Sequence, residues 1–144
     1  GCRASTNEVY WKQVFDLLDR HGEAVQALAV RHIQGDGKLP FPVVLRLSRT
    51  FRRGLRELDL SWVLPDAAGL SMLAEALPTS VECLDFVGCV DDGKLFAQQL
   101  ASIAERLPLL ARVSASGKWS PLSCAQAASI IESKAPPGCE LTVF

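Results

Sequence analysis

The sequence lacks the features that mark several functional classes. No apolar run approaches the roughly 20 residues that a membrane helix needs, so we expect no membrane span. The 15 basic and 16 acidic residues leave a formal net charge of −1, which disfavours a nucleic-acid-binding domain. With 49% hydrophobic and 22% charged residues, the 144-residue chain has the composition of one packed globular domain and not of a disordered segment.

Residues of the common catalytic and metal-binding motifs are also scarce. The two histidines, His21 and His32, lie far along the chain from the closest cysteine pair, Cys83 and Cys89. A zinc site needs paired Cys or His ligands at short spacings, so we expect no metal and no other cofactor. The Gly-Lys pairs at 35–38 and 117–118 lack the spacing of a phosphate-binding loop, and there is no G-x-S-x-G nucleophile elbow. We therefore expect no catalytic residues and no enzymatic activity.

The cysteine count argues against a disulfide scaffold. The chain has five cysteines, which is an odd number, and a disulfide framework is usually shorter and denser in cysteine. We interpret them as free thiols of a reducing compartment and expect a cytoplasmic protein. The chain starts at Gly1 with neither Met nor a signal peptide, so we expect it to be part of a longer scaffold or adaptor protein.

A six-residue pattern with apolar first, fourth and sixth positions recurs at near-constant spacing. It begins at residues 25, 55, 81, 110 and 138, so successive copies are 30, 26, 29 and 28 residues apart. The segments between the copies carry apolar residues at helical spacing, and three of them end at Pro78, Pro108 or Pro136. The pattern predicts an α/β fold with a parallel sheet, built from four strand–helix units and a final strand.

A separate helix is predicted before the first repeat. The segment Ser5-Thr6-Asn7-Glu8 has the order of a capping box, two apolar stripes follow it, and Gly22 suits the end of a helix. We assign residues 1–24 to an N-terminal capping helix and residues 25–144 to the repeats. The repeats form one continuous domain, because no repeat buries its apolar face alone.

The strand sequence Leu55-Arg-Glu-Leu58-Asp-Leu60 resembles the strand of a leucine-rich repeat. The unit length and the helical second half resemble the ribonuclease-inhibitor class of that family. Cys89 falls on the ninth position, where the family usually has Asn or Cys, and Gly69 and Gly93 lie within one residue of its usual glycine. The resemblance implies an α/β leucine-rich-repeat solenoid of about four strand–helix units over residues 25–144.

A second family resembles part of the same region. The segment Leu58-Asp-Leu-Ser-Trp-Val63, followed by Asp66-Ala-Ala-Gly-Leu70, resembles the strand and helix start of STAS-type anti-sigma-antagonist domains. In those domains a serine after that aspartate is phosphorylated, and this chain has Ala67 and Ala68 at the matching positions. The alternative is therefore a STAS-like regulatory domain without the phosphorylatable serine.

Polar side chains of the repeat strands form the candidate binding surface. Positions one, four and six should point into the core, and positions two, three, five and seven should face outward on a concave sheet. Four carboxylates then crowd one patch on two adjacent strands, beside an exposed tryptophan that is typical of a protein-binding hot spot. The residues predicted to bind a partner are Arg56, Glu57, Asp59, Trp62, Glu82, Asp85 and Arg112.

These observations predict a non-enzymatic protein–protein interaction module. We expect its partner to be another protein that presents a basic segment, because the patch is acidic. A second candidate surface is the arginine-bearing helix, where Arg46, Arg49 and Arg53 lie on one face by their spacing.

Overall fold

Helices and strands alternate along the chain. The computed structural model describes residues 2–21, 25–29, 41–51, 54–61, 65–88 and 92–144. In chain order the elements are α1 (Cys2–His21), β1 (Ala27–Ala29), α2 (Phe41–Thr50), β2 (Glu57–Asp59), α3 (Ala67–Ala76), β3 (Cys83–Phe86), α4 (Gly93–Arg106), β4 (Arg112–Ala115), α5 (Cys124–Glu132) and β5 (Glu140–Val143). The predicted α/β class is confirmed.

The strands form one open parallel sheet in the order of the chain, β1-β2-β3-β4-β5. Parallel neighbours need a crossover connection, and a helix supplies that connection between each successive pair of strands. The STAS-like alternative implies a sheet of mixed direction, whereas all strands of the described ranges are parallel.

The fourth-position residues of the repeats form one aligned column across the sheet. Leu28, Leu58, Leu84, Val113 and Leu141 are consecutive register partners. The three central residues are buried, and the two at the ends of the sheet are half-buried. The predicted register is therefore correct.

Local signals in the sequence determine where the later helices start and stop. The carboxylate of Asp66 accepts a hydrogen bond from the Gly69 N–H at 2.8 Å, which caps the start of α3. Asp92 caps α4 in the same way. The helices α3 and α4 end one residue before Leu77 and Leu107, and each of these residues precedes a proline that disfavours helical geometry.

The first helix begins earlier than predicted. It starts at Cys2, so the segment Ser5–Glu8 lies within the helix and the predicted capping box at its start is wrong. Arg3 and Ala4 are good helix formers, which allows the helix to continue upstream of Ser5. A capping box is a local pattern, and it does not show whether the residues before it are already helical.

The first helix packs against α2. Phe15 and Leu18 are buried in the core, and the guanidinium of Arg46 lies 5.1 Å from the centre of the Phe15 ring. Arg46 also forms an ion pair of 3.1 Å with Asp19. This contact is what a capping helix requires, and the division into residues 1–24 and 25–144 stays a prediction.

Candidate protein-interaction surface

Two rows of aligned residues form the surface that we call the sheet face. One row contains Ala27, Glu57, Cys83, Arg112 and Glu140, and the other contains Ala29, Asp59, Asp85, Ser114 and Thr142. Members of both rows are exposed or half-buried, whereas the central residues of the column between the rows are buried. The alternation of a β-strand explains this pattern, because successive side chains point to opposite sides of the sheet.

The sheet brings six of the seven predicted binding residues together on β2, β3, β4 and the residues just before them. Arg56 precedes β2 and Glu82 precedes β3, and their side chains form an ion pair with Nε and Oε2 3.2 Å apart. Both side chains remain largely in solvent, so the pair adds little stability. The seventh residue, Trp62, lies outside the described residues.

Two aspartates of the sheet face are direct register neighbours. Asp59 on β2 is aligned with Asp85 on β3, and both are half-buried. The carboxylate of Asp59 also accepts a hydrogen bond of 2.9 Å from the Ser61 N–H, so this residue shapes the turn after β2. Ser61 is 8% exposed, and the expectation that it faces outward is wrong, because the chain turns at this point and leaves the alternation of the strand.

The sheet face carries an excess of negative charge. Among the described residues it has four carboxylates, those of Glu57, Asp59, Asp85 and Glu140, and the guanidinium group of Arg112, and the ion pair of Arg56 and Glu82 lies just before β2 and β3. Like charges on neighbouring strands destabilise a sheet, so the alignment of these carboxylates does not by itself stabilise the fold. The excess lies mainly on β2 and β3, beside the ion pair of Arg56.

Cys83 lies half-buried in the middle of the sheet face. Burial raises the pKa of its thiol, Arg112 lowers that pKa, and Glu57, Asp85 and Glu82 raise it. Burial likewise raises the pKa of Cys139. Because the thiolate is the nucleophilic form, these environments make both thiols less reactive than an ordinary cysteine.

Three of the five cysteines, Cys83, Cys124 and Cys139, are free thiols. With Cys2 and Cys89 interpreted as free thiols as well, we expect a reducing agent to leave the melting temperature of the chain unchanged, because no covalent loop closure is lost. Differential scanning fluorimetry with and without dithiothreitol measures this. A fall of many degrees on reduction would overturn the interpretation of the cysteines as free thiols.

Among the residues of the sheet face that the predicted binding set omitted are Cys83 and Glu140, which can be charged. Glu140 and Cys83 flank Arg112 in its row, and Glu140 is exposed. Both occupy outward positions of the repeat, so the alternation of the strands already contained the signal. In the described ranges, no group of three or more His, Cys, Asp or Glu side chains is arranged to hold a metal ion.

One arginine of the arginine-bearing helix already has partners within the chain. Arg46 pairs with Asp19 and stacks over Phe15, so its charge contributes to packing between α1 and α2. Arg49 lies exposed in the last turn of α2. Arg53 lies outside the described residues.

A groove of about 350 Å³ lies between α3 and α4 on the helix layer. Side chains from α4 span it. Gln99 donates to the Ala67 carbonyl at 2.8 Å and to the Ser71 hydroxyl at 3.1 Å, and Arg106 donates to the carbonyls of Ala74 and Glu75. These contacts join the two helices, and those of Arg106 satisfy carbonyl groups at the C-terminal end of α3.

An open α/β fold with consecutive parallel strands is thus the class that the architecture defines, and a similar solved structure agrees with it. No family model matches the chain, and no curated protein matches its sequence. Among solved structures, the chain is similar to the leiomodin-1 actin-binding site 2 (ABS2), with a TM-score of 0.66 and 9% sequence identity. The match covers 93% of this chain and 79% of that one, and at this identity it shows the fold alone.

No helix in the described part of the chain is both long enough and apolar enough to cross a membrane.

Proposed function

We propose that this chain is a leucine-rich-repeat solenoid that binds a protein partner through the sheet face and has no enzymatic activity. Three features support the repeat: the consecutive parallel strands, the aligned column, and the period of 26–30 residues. Stacked repeats present the exposed side of a sheet as an extended binding surface. We place this module in the cytoplasm, within a longer scaffold or adaptor protein.

The observation that carries the proposal is the alignment of Asp59 with Asp85 inside a larger acidic cluster. Two half-buried carboxylates on adjacent strands repel each other, and this costs folding free energy. The Asp59 carboxylate also stabilises the turn through the Ser61 N–H, and a partner that brings opposite charge would relieve the repulsion between the two carboxylates. The partner that fits is a protein segment rich in Lys and Arg, which the acidic face attracts from a distance.

The structural neighbour supplies one concrete partner to test, because it is named as an actin-binding site. Actin is therefore the second probe beside a synthetic peptide of alternating Lys and Ser residues. The peptide tests charge complementarity alone, and actin tests a folded partner.

The acidic-face variant is the double substitution Glu57→Lys and Asp85→Lys. Asp59 is left unchanged, because its carboxylate binds the Ser61 N–H. We expect this variant to bind the peptide at least about tenfold more weakly than the wild type in fluorescence anisotropy, since both changes reverse attraction into repulsion. Wild-type binding should weaken as salt rises from about 50 to 500 mM, because salt screens exposed charges.

The matched control is Asp16→Lys with Glu132→Lys, which makes the same change of net charge at exposed positions of α1 and α5. Circular dichroism and melting temperature should stay near those of the wild type for both variants. If the acidic-face variant binds as tightly as the wild type, the sheet face is not the site. An equal loss in the control would instead attribute the effect to net charge and would also contradict the proposal.

A further inference from the structure

Two side chains of opposite charge lie on neighbouring strands of the sheet face without pairing. Asp85 on β3 is half-buried, and Arg112 on β4 is exposed. Within the described part of the chain, neither side chain forms an ion pair or a hydrogen bond. Arg56 and Glu82 behave differently, because they also come from neighbouring repeats and pair with each other at 3.2 Å. Asp85 and Arg112 are therefore both available to charged groups of a partner.

The register of the sheet sets the distance between these two charged residues. Asp85 is aligned with Ser114, and Arg112 lies two residues before Ser114 on the same strand. Neighbouring strands lie about 4.8 Å apart and two residues span about 6.7 Å, so the Cα atoms of Asp85 and Arg112 are about 8 Å apart. An extended segment that crosses the strands places residues i and i+2 on one side, about 6.7 Å apart. A basic and an acidic residue at this spacing match the two charges, because long side chains cover the remaining difference.

The surroundings of the two charges favour this placement. Asp59 is aligned with Asp85, so a positive group at this point meets two carboxylates. Arg112 lies between Cys83 and Glu140 in its row. Burial raises the pKa of the Cys83 thiol, which therefore stays neutral and does not repel a carboxylate above it. The negative charge of Glu140 lies on the other side of Arg112, so a carboxylate of a partner fits best on the side of β3.

We infer that the partner segment presents a basic residue over Asp85 and an acidic residue over Arg112, two positions apart in an extended chain. This inference rests on the proposed function, because it concerns the same sheet face. The face carries more negative than positive charge, so attraction by net charge alone favours the segment with the most positive charge. A contact between a carboxylate and the Arg112 guanidinium favours the opposite choice, since an added acidic residue lowers the net charge of the segment. The two explanations therefore predict opposite orders of affinity.

Two derivatives of the alternating Lys and Ser peptide test this choice. The last Lys is replaced by Glu in one derivative, the Glu peptide, and by Gln in the other, the Gln peptide, so that a Lys two positions earlier is kept. In fluorescence anisotropy the wild-type chain should bind the Glu peptide at least about threefold more tightly than the Gln peptide, which is the size of an exposed ion pair. Arg112→Gln should reverse this order, because net charge then decides. Arg112→Lys should keep the preference for the Glu peptide.

The matched control is Arg20→Gln, which removes the same charge at an exposed position of α1. It should keep the preference of the wild type for the Glu peptide, and circular dichroism checks that each variant is folded. Wild-type binding of the Gln peptide that equals or exceeds that of the Glu peptide would overturn the inference. So would a preference that Arg112→Gln leaves unchanged, or one that Arg20→Gln also removes.

The acidic-face variant separates a failure of this inference from a failure of the proposed function. If Glu57→Lys with Asp85→Lys weakens binding of the Gln peptide and the Glu peptide has no advantage in the wild type, the inference is wrong and the proposed function stands. A wild-type chain that binds neither peptide contradicts both.

Discussion

Replacement of Leu84 by alanine is expected to lower the free energy of unfolding by about 2–5 kcal/mol. Leu84 is 1% exposed and lies in the middle of the aligned column, between Leu58 and Val113. The substitution removes buried methyl groups and leaves a cavity that the neighbouring strands fill only in part, because the sheet fixes their spacing. A loss of this size is a large fraction of the stability of a small domain.

Urea denaturation followed by circular dichroism measures this loss. Two other Leu→Ala substitutions provide reference values for the loss in the free energy of unfolding. Leu28→Ala, at the half-buried end of the column, should cost less, and Leu17→Ala, at a position 60% exposed on α1, should change the stability by less than about 0.5 kcal/mol. A loss below about 1 kcal/mol for Leu84→Ala would mean that the column is not the core of the sheet.

The strands and the later helices were predictable because short-range rules determine them. The apolar pattern that contains Leu58 and Leu84 recurs with the period of the repeat, and one register buries every copy on the same side of the sheet. Pro78 and Pro108 stop two helices for a steric reason that does not depend on the rest of the fold. The order of the strands then follows, since stacked repeats pair each strand with the next one along the chain.

The details of the site depend on contacts that the repeat pattern does not encode. Ser61 is buried because the turn after β2 closes on the carboxylate of Asp59, which removes Ser61 from the alternation. The guanidinium of Arg46 already contacts Asp19 and Phe15 of α1. The position of α1 over α2 depends on packing between segments that are distant in sequence. Strand periodicity shows which residues face outward, and it does not show which of them already have partners within the chain.

The bridge between α3 and α4 shows the same limit on the helix layer. Gln99 and Arg106 lie seven residues apart on α4. From the sequence alone we would expect both to be ordinary solvent-exposed residues of an amphipathic helix. In the structure both reach backbone carbonyls of α3, more than 30 residues earlier in the chain. Such long-range hydrogen bonds to backbone groups leave no pattern in a single sequence.

At Gly93, even the addition of one methyl group in Gly93→Ala is expected to lower the stability strongly. Gly93 begins α4, and a Cβ atom there would lie 2.3 Å from the Lys118 carbonyl oxygen and 2.5 Å from the Trp119 Cα. Both contacts are with backbone, which cannot rotate away like a side chain. Trp119 is itself held by stacking on Phe96, with ring centres 5.6 Å apart. We expect Gly93→Ala to cost about 3 kcal/mol or more, because the helix and the loop after β4 must separate.

The sign of the stability change in Gly93→Ala distinguishes an effect of close packing from an effect of helix propensity. Alanine reduces the entropy of the unfolded chain, so Gly93→Ala would stabilise an unconstrained helix start by about 0.4–1 kcal/mol. Gly69→Ala provides a graded comparison, because a Cβ atom there would lie 2.8 Å from the Pro65 Cβ, which is a less severe overlap than at Gly93, so its cost should be smaller. Lys94→Ala, at the exposed next position, should be nearly neutral. Thermal and urea denaturation of the three variants give the ranking, and a Gly93→Ala chain as stable as the wild type would show that α4 does not pack against residues 118 and 119 as described.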